Sequence, residues 1–415
     1  MALDFAALFF VLSAAATLVL VAEPRLRLLA RLWGTRKAAG SSAEKPVQVE
    51  ETKPEKLPDP DPLYEFDLET ATTRDHIYVN KTLRYPYFQT MQVPLSSPTS
   101  FSPSNLAHSF RAHQPMDINN WVEIDKNYKR EMEYKRRIVE KHPQRTIISL
   151  PENDAAAGEL LRTLVDYLPK RYPTLFQALP AGGIWNKVLN ERFPGCASLS
   201  GTAALKVVSR LVVDDYLMAR VRDDGHVYFV GGVVAIPGFY DFSAKVGKSM
   251  YDVHVPVPQF NEKILMSVER TLKRFKPTEP FERSSWEIVD DFNTYEHAIA
   301  RLEEGEKVRD DLEPQDYVFR IDHQSFRKLP KTQGIIFSVH PVLRRLEEFA
   351  DLPLVPALLA TVHENAPADL MKYKLAQCYQ DKMLPYLKQL TQSQIDRGLI
   401  KGDEEVSTFR DLLQK

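Results

Sequence analysis

His254 stands in the stretch Lys245-Val-Gly-Lys-Ser-Met-Tyr-Asp-Val-His254-Val-Pro-Val-Pro258. Pro256 and Pro258 each remove a backbone donor and bias the preceding residue toward extended geometry. The imidazole is therefore expected on a stiff, non-helical segment. Phe239, Tyr240 and Phe242 lie just upstream, with the cations Lys245 and Lys248 following. A fixed imidazole near aromatic walls and cations is what an anionic macrocycle with an iron centre needs. The same neighbours also describe a partly buried histidine satisfied by a backbone carbonyl. On these neighbours alone, the plainer reading prevails.

A second string, Tyr317-Val-Phe-Arg-Ile-Asp-His-Gln-Ser-Phe-Arg-Lys-Leu-Pro-Lys-Thr-Gln-Gly334, reads as a strand-turn-strand unit. Arg320, His323, Gln324, Arg327 and Lys328 supply donors able to hold carboxylates. Read plainly, it is a hairpin with a solvated charged face. Other chemistries find little support. The only cysteines, Cys196 and Cys378, can make neither a CxxC zinc site nor an iron–sulfur cluster, which needs four ligands. A net charge of −2 offers nucleic acid no bulk attraction. Neither GxGxxG nor GxxxxGK[ST] occurs, and the one Asp-x-Asp, Asp59-Pro-Asp61, falls in a linker.

The elements that must position these residues come next. The spacing predicts a charged helix over Asn127 to Lys141, and another whose Leu160, Leu161, Leu164, Val165 and Leu168 form an apolar stripe after a cap at Asn153 or Asp154. Asp224-Gly225 marks a hairpin turn between the Val/Leu-rich Ala204–Arg222 stretch and His226-Val-Tyr-Phe-Val. Asn261–Arg274 reads as an amphipathic helix, and Ser285–Val289, Tyr317–Ile321 and Gly334–His340 as short strands. From Pro341 the chain is mainly helical, its longest run, Met371–Leu390, broken or kinked at Pro385. Hairpins with flanking helices argue for an α+β fold built on an antiparallel sheet.

Ahead of this body, Phe5–Ala22 is an uncharged apolar run at the short end of what spans a bilayer. Positive charge follows it, at Arg25, Arg27, Arg31, Arg36 and Lys37, where a cleaved signal peptide carries it first. The reading is a membrane anchor with its basic flank over 1–37, a single-pass helix of the endoplasmic reticulum whose catalytic body faces the cytosol. A signal peptide cut near Ala14–Ala16 is the alternative. Residues 38–62, rich in Lys, Glu, Pro, Ser and Asp, read as a disordered linker, leaving 63–415 as the folded domain.

Four segments in order resemble the alpha subunit of haem-dependent oxidative N-demethylases, whose fungal members are called HRQ proteins. They are Pro86–Met91 with Met116–Asp125, then Leu211–Met218, then Lys245–Pro258, and last Arg320-x-Asp-His-Gln-Ser-Phe-x-x-Leu-Pro330 with Gly334–Val339. The family string usually reads Arg-x-Glu-Arg-Gln, so Asp322 and His323 are departures. The resemblance implies a PAS-like core of five antiparallel strands binding haem. It also implies oxidation of a small organic substrate with O2, N-demethylation being the parent reaction, and a role in specialised metabolism. Electrons then come from a separate reductase, since the chain has no cluster of its own. Within that reading His254 is the first candidate iron ligand, ahead of His340 and of the thiol of Cys196. Lys245, Lys248, Arg320 and Arg327 are candidates to hold the propionates, and Asp322, His323 and Gln324 to carry catalysis and move protons. Gly231-Gly232 either lets backbone approach the macrocycle or marks a β-bulge. The rival class is a PAS-like haem or ligand sensor without turnover.

Overall fold

The structure is a computed structural model that describes residues 58–74, 83–85, 89–91, 114–290 and 312–404. The expected anchor, its basic flank and most of the linker lie outside the described residues. Among the described residues, no helix is long and apolar enough to cross a membrane. The last part of the expected linker is docked chain. Asp59 accepts from Lys170 Nζ at 2.7 Å, Asp61 exchanges hydrogen bonds with Asn119, and Pro60 is buried.

The strands, in chain order, are β1 (Leu83–Tyr85), β2 (Gln89–Met91), β3 (Gln114–Pro115), β4 (Ile147–Ser149), β5 (Phe176–Leu179), β6 (Gly183–Asn186), β7 (Glu191–Phe193), β8 (Asp215–Val221), β9 (Val227–Val233), β10 (Phe281–Val289), β11 (Val318–Lys328) and β12 (Ile335–Arg345). Seven make one antiparallel sheet in the order β3-β10-β11-β12-β8-β9-β4. Its five long members are β8 to β12, with two- and three-residue strands at the edges. Strands β5–β7 form a separate small sheet, and β1 pairs with β2. The α+β expectation therefore holds at the level of a large antiparallel sheet with flanking helices.

Helices cover both sheet faces because alternate strand residues point opposite ways. On one face Tyr216, Met218 and Ile336 pack into a core shared with Leu160, Leu161 and Leu164 of the Asp154–Arg171 helix. Farther along that face, Trp286, Ile288, Phe319 and Ile321 pack against the Val355–Asn365 and Gln380–Asp396 helices. On the other face Leu217, Ala219, Phe229, Ile335 and Val339 meet Met250, Val253, Phe260 and Leu272 from the chain between β9 and β10.

Most predicted elements appear, with shifts that have local causes. The charged helix is Tyr128–Lys141, and the Asp224-Gly225 turn does join two strands. The Ala204–Arg222 stretch is divided between a Gly201–Val208 helix and β8. Strands β10, β11 and β12 run well past the predicted short strands: the extensions of β10 and β11 carry buried polar residues that mask the apolar pattern, and β12 continues through Pro341, a residue that reads as a strand end. The C-terminal helical run breaks at 374–379, not at Pro385. There Leu375 takes φ +56 and a 3-10 turn follows, while Pro385 sits inside the Gln380–Asp396 helix at the loss of one backbone bond.

Candidate active site

The alternation of β11 decides which predicted residues meet. Arg320, Asp322 and Gln324 point to one face, and His323 and Arg327 to the other. The first may be called the His254 side and the second the His323 side.

On the His254 side, Arg320 is almost fully buried, at 1% exposure. Its Nε donates to Asp322 Oδ1 at 2.8 Å and its Nη2 to the Ile236 carbonyl at 2.8 Å. Its Nη1 has no hydrogen-bond partner, and neither has Oε2 of Glu287, the residue directly opposite it on β10. Gly238 closes over this pair with φ +69; a Cβ there would lie 3.0 Å from Glu287 Oε2 and 3.1 Å from Arg320 Nη1. Only glycine takes that backbone conformation freely and leaves that space. Burial pushes the Glu287 carboxyl up, against the nearby charge of Lys374. Lys374 is buried too, and its Nζ donates to the Trp286 carbonyl at 2.8 Å. Tyr240 belongs to the same group: burial lifts its phenol well above the ordinary value, and the charges of Asp215 and Asp322 add to this.

Gln324 continues the row. It accepts from Arg283 Nε at 2.6 Å and donates to Ser285 Oγ at 3.0 Å, so both ends of its amide are held. Arg283 is close enough to His254 to act on its charge. Beside them, Phe281, Phe326 and Phe337 stack as a half-buried ladder with ring centroids 4.6 and 4.7 Å apart.

His254 is held differently from expectation. The segment is a turn, not an extended run. Ser249 and Asp252 form a capping box at the start of a short Met250–Val253 helix, His254 ends it, and the Val257 N–H donates back to the His254 carbonyl. Stiffness is retained by other means. Nδ1 donates to the Met250 carbonyl at 2.8 Å, and the ring stacks on Phe260 at 3.8 Å with 9° between planes. That bond fixes the tautomer and leaves Nε2 with its lone pair. Burial, with the charges of Lys245 and Arg283, lowers the ring to about 4, so it is neutral at physiological pH. Lys245 lies over Tyr240 at 5.1 Å, half-buried and lowered by burial and by Lys248. Lys248 itself is exposed.

On the other side, the groups around His323 form a closed knot. His323 Nε2 pairs with Glu282 at 2.8 Å and Nδ1 with Glu123 at 3.3 Å, while Arg74 bridges both carboxylates at 2.9 and 3.1 Å. Burial alone would raise the Glu282 carboxyl, but the bonds from His323 and Arg74 hold it down at about 2. The trio Asp322, His323 and Gln324 is thus split by the sheet, and His323 cannot pass protons to the other two. Arg327 is separated from Lys245, Lys248 and Arg320 in the same way. Its guanidinium lies 3.8 Å over Trp121, and burial lowers it to about 10.

The other candidate ligands are poorly suited. Burial alone would lower His340, but the charge and hydrogen bond of Asp214, with Glu123 and Glu131 beyond, raise it to about 9. A protonated ring has no lone pair to give. Burial raises the Cys196 thiol, so no thiolate forms there. Gly231 and Gly232 serve the protein's own packing. The register of β8 on β9 shifts between Met218 and Ala219, and a Cβ on Gly232 would strike the Tyr216 carbonyl. The β-bulge reading fits that geometry.

The residues missed in sequence are Arg283, Ser285, Glu287, Lys374 and Gly238. Ser285 and Glu287 lay in the predicted Ser285–Val289 strand and needed only its pairing with β11, and Arg283 needed that strand to begin at Phe281. Lys374 gave no signal. A family model described as haem-dependent oxidative N-demethylase, alpha subunit-like, matches residues 112–384, and the chain belongs to that family.

Proposed function

We propose that the protein is a haem-dependent oxidoreductase that oxidises a small organic amine on the His254 side of the sheet. The observation that carries this reading is the His254 ring, neutral and tied through Nδ1, with Nε2 left to bind iron. Five long antiparallel strands support a PAS-like core, and the aromatic ladder suits the flat face of a macrocycle. The half-buried Lys245 and the neighbouring Arg283 suit its carboxylates, and Lys248 is a weaker candidate at the exposed rim. The residues therefore fit haem, with His254 as its protein ligand.

When bound, haem supplies activation of O2. An N-methyl amine, O2, two electrons and two protons give the demethylated amine, formaldehyde and water, the electrons coming from a separate reductase. The protein's part is positioning and proton placement. Asp322, oriented through Oδ1 by Arg320, is the acceptor for the proton of an ammonium substrate. Glu287, whose carboxyl burial raises, sits opposite Arg320 as a second carboxyl beside the guanidinium. Gln324, fixed at both ends, and Gly238, pressed over the pair, keep these groups in place and exclude water. We further propose that the expected N-terminal anchor holds the body, 63–415, on the cytosolic side of the endoplasmic reticulum. A role in fungal specialised metabolism follows from the HRQ resemblance.

Full-length protein in detergent, titrated with haem, tests this. Wild type should show a Soret band, and His254→Ala should lose or shift it; an unchanged spectrum removes His254 as ligand. Haem capture should be flat from neutral pH down to about 5 and fall as the ring protonates near 4. Oxygen uptake with an artificial reductant and N-methyl amines, with formaldehyde as product, separates an enzyme from a haem sensor. A Soret band with no formaldehyde favours the sensor.

A further inference from the structure

Away from the His254 ring, a cleft of about 560 Å³ opens between the Tyr128–Lys141 helix and the end of β12. Its floor is apolar: Val213, Ile236, Pro341 and Leu343. Its rim carries Arg130, Arg137 and Arg345 with Glu131 and Tyr134. Three guanidiniums against one carboxylate give the mouth a net positive charge, in a chain whose overall charge is −2. The single acid is weakened, since burial raises Glu131. The floor is rigid. Pro341 and Leu343 lie opposite Asp322 and Arg320 in the sheet, and the Ile236 carbonyl accepts from Arg320.

We propose that this cleft is a binding site for an anionic amphiphile. The ligand is a small molecule whose carboxylate, phosphate or sulfonate meets the arginine rim and whose apolar body lies on the Val213–Ile236–Pro341–Leu343 floor. The volume is that of a drug-sized ligand pocket, and a mostly apolar lining with a few charged groups at one end is how such sites orient their ligands. Arginine is the side chain best matched to planar, bidentate anions. The site uses none of the residues assigned to haem and does not depend on that assignment.

The probe is 8-anilinonaphthalene-1-sulfonate, with N-phenyl-1-naphthylamine as its uncharged counterpart, each titrated by fluorescence into the full chain. The sulfonate should bind at least about tenfold tighter than the neutral amine, as a charge-assisted hydrogen bond in a half-closed site implies. Arg130→Ala combined with Arg137→Ala, both exposed positions, should erase most of that preference and leave the neutral probe unchanged. Glu131→Gln should tighten sulfonate binding, a sign that general loosening of the helix would not produce. Saturating haem should leave the sulfonate constant unaltered. Equal binding of the two probes, wild-type affinity in the double variant, or displacement by haem would each overturn the proposal. None of those results touches the Soret test of His254.

Discussion

The two sides of β11 carry similar residue types in opposite states. On the His323 side, an imidazole, two carboxylates and a guanidinium satisfy one another, and the acid Glu282 is held ionised. On the His254 side, Arg320 is fully buried and Glu287 half-buried, yet each keeps one buried polar atom without a hydrogen bond. A buried group left in that state costs stability and persists where something else selects it. The contrast is between two clusters and not two whole faces, since Arg327 Nη1 and Tyr216 OH on the His323 side also lack a hydrogen-bond partner: the network around His323 closes on itself, and the Arg320–Glu287 pair does not.

Substitutions along β10 sharpen the contrast, because Glu282 and Glu287 sit on opposite faces of the same strand. The largest effect is expected from Glu282→Gln. Its carboxyl falls from 4.5 to about 2 on folding, so the ionised form contributes stability above about pH 4.5 that is lost as pH falls toward 2. The variant should lose about 2–3 kcal/mol at pH 7 by urea denaturation, and the deficit should narrow below pH 4.5. An equal deficit at pH 3 and pH 7 would break the account of the knot.

Gly238→Ala comes next. A Cβ meets both a left-handed backbone and the Glu287–Arg320 pair, so a loss of about 1–2 kcal/mol is expected, with turnover falling further than stability. His254→Ala removes a stacked ring and one hydrogen bond, and about 1 kcal/mol should suffice, even as the haem spectrum changes. If His254→Ala unfolds the protein, the ring is a structural strut and the contrast weakens. Smallest of all is Glu287→Gln. Its folded carboxyl is raised, so its favourable contribution is present at low pH and is lost as pH climbs above about 4.5. The variant should match or exceed wild type in thermal melting at pH 7, with a smaller margin at pH 4 than at pH 7, while amine oxidation declines. A destabilised Glu287→Gln would place that acid in a closed network like its neighbour.

Much of the architecture was readable because helices and the Asp224-Gly225 hairpin advertise themselves in apolar period and turn chemistry. β10 and β11 were harder. A strand buried on both faces that carries Arg, Asp, His and Gln shows neither alternation nor an apolar run, so its length is hidden. Period two alone, however, forbids Asp322, His323 and Gln324 from sharing a face, and that inference was available from numbering. Lys374 and Gly238 reach the site from across the fold, and no local pattern links them to Arg320. His254 was found for its flanking prolines, yet what fixes it is Phe260 and the Met250 carbonyl, both close in sequence and invisible to propensity.

The sheet order has a consequence for how the chain is made. β12, the last strand to leave the ribosome among the described residues, takes the central slot between β11 and β8. Until Arg345 has emerged, the nascent chain holds two half-sheets, each with a long open edge ready to pair with another copy. Chaperone demand should therefore peak late in synthesis and vanish once a single strand inserts, and truncations just short of β12 should aggregate more than those that stop before β10.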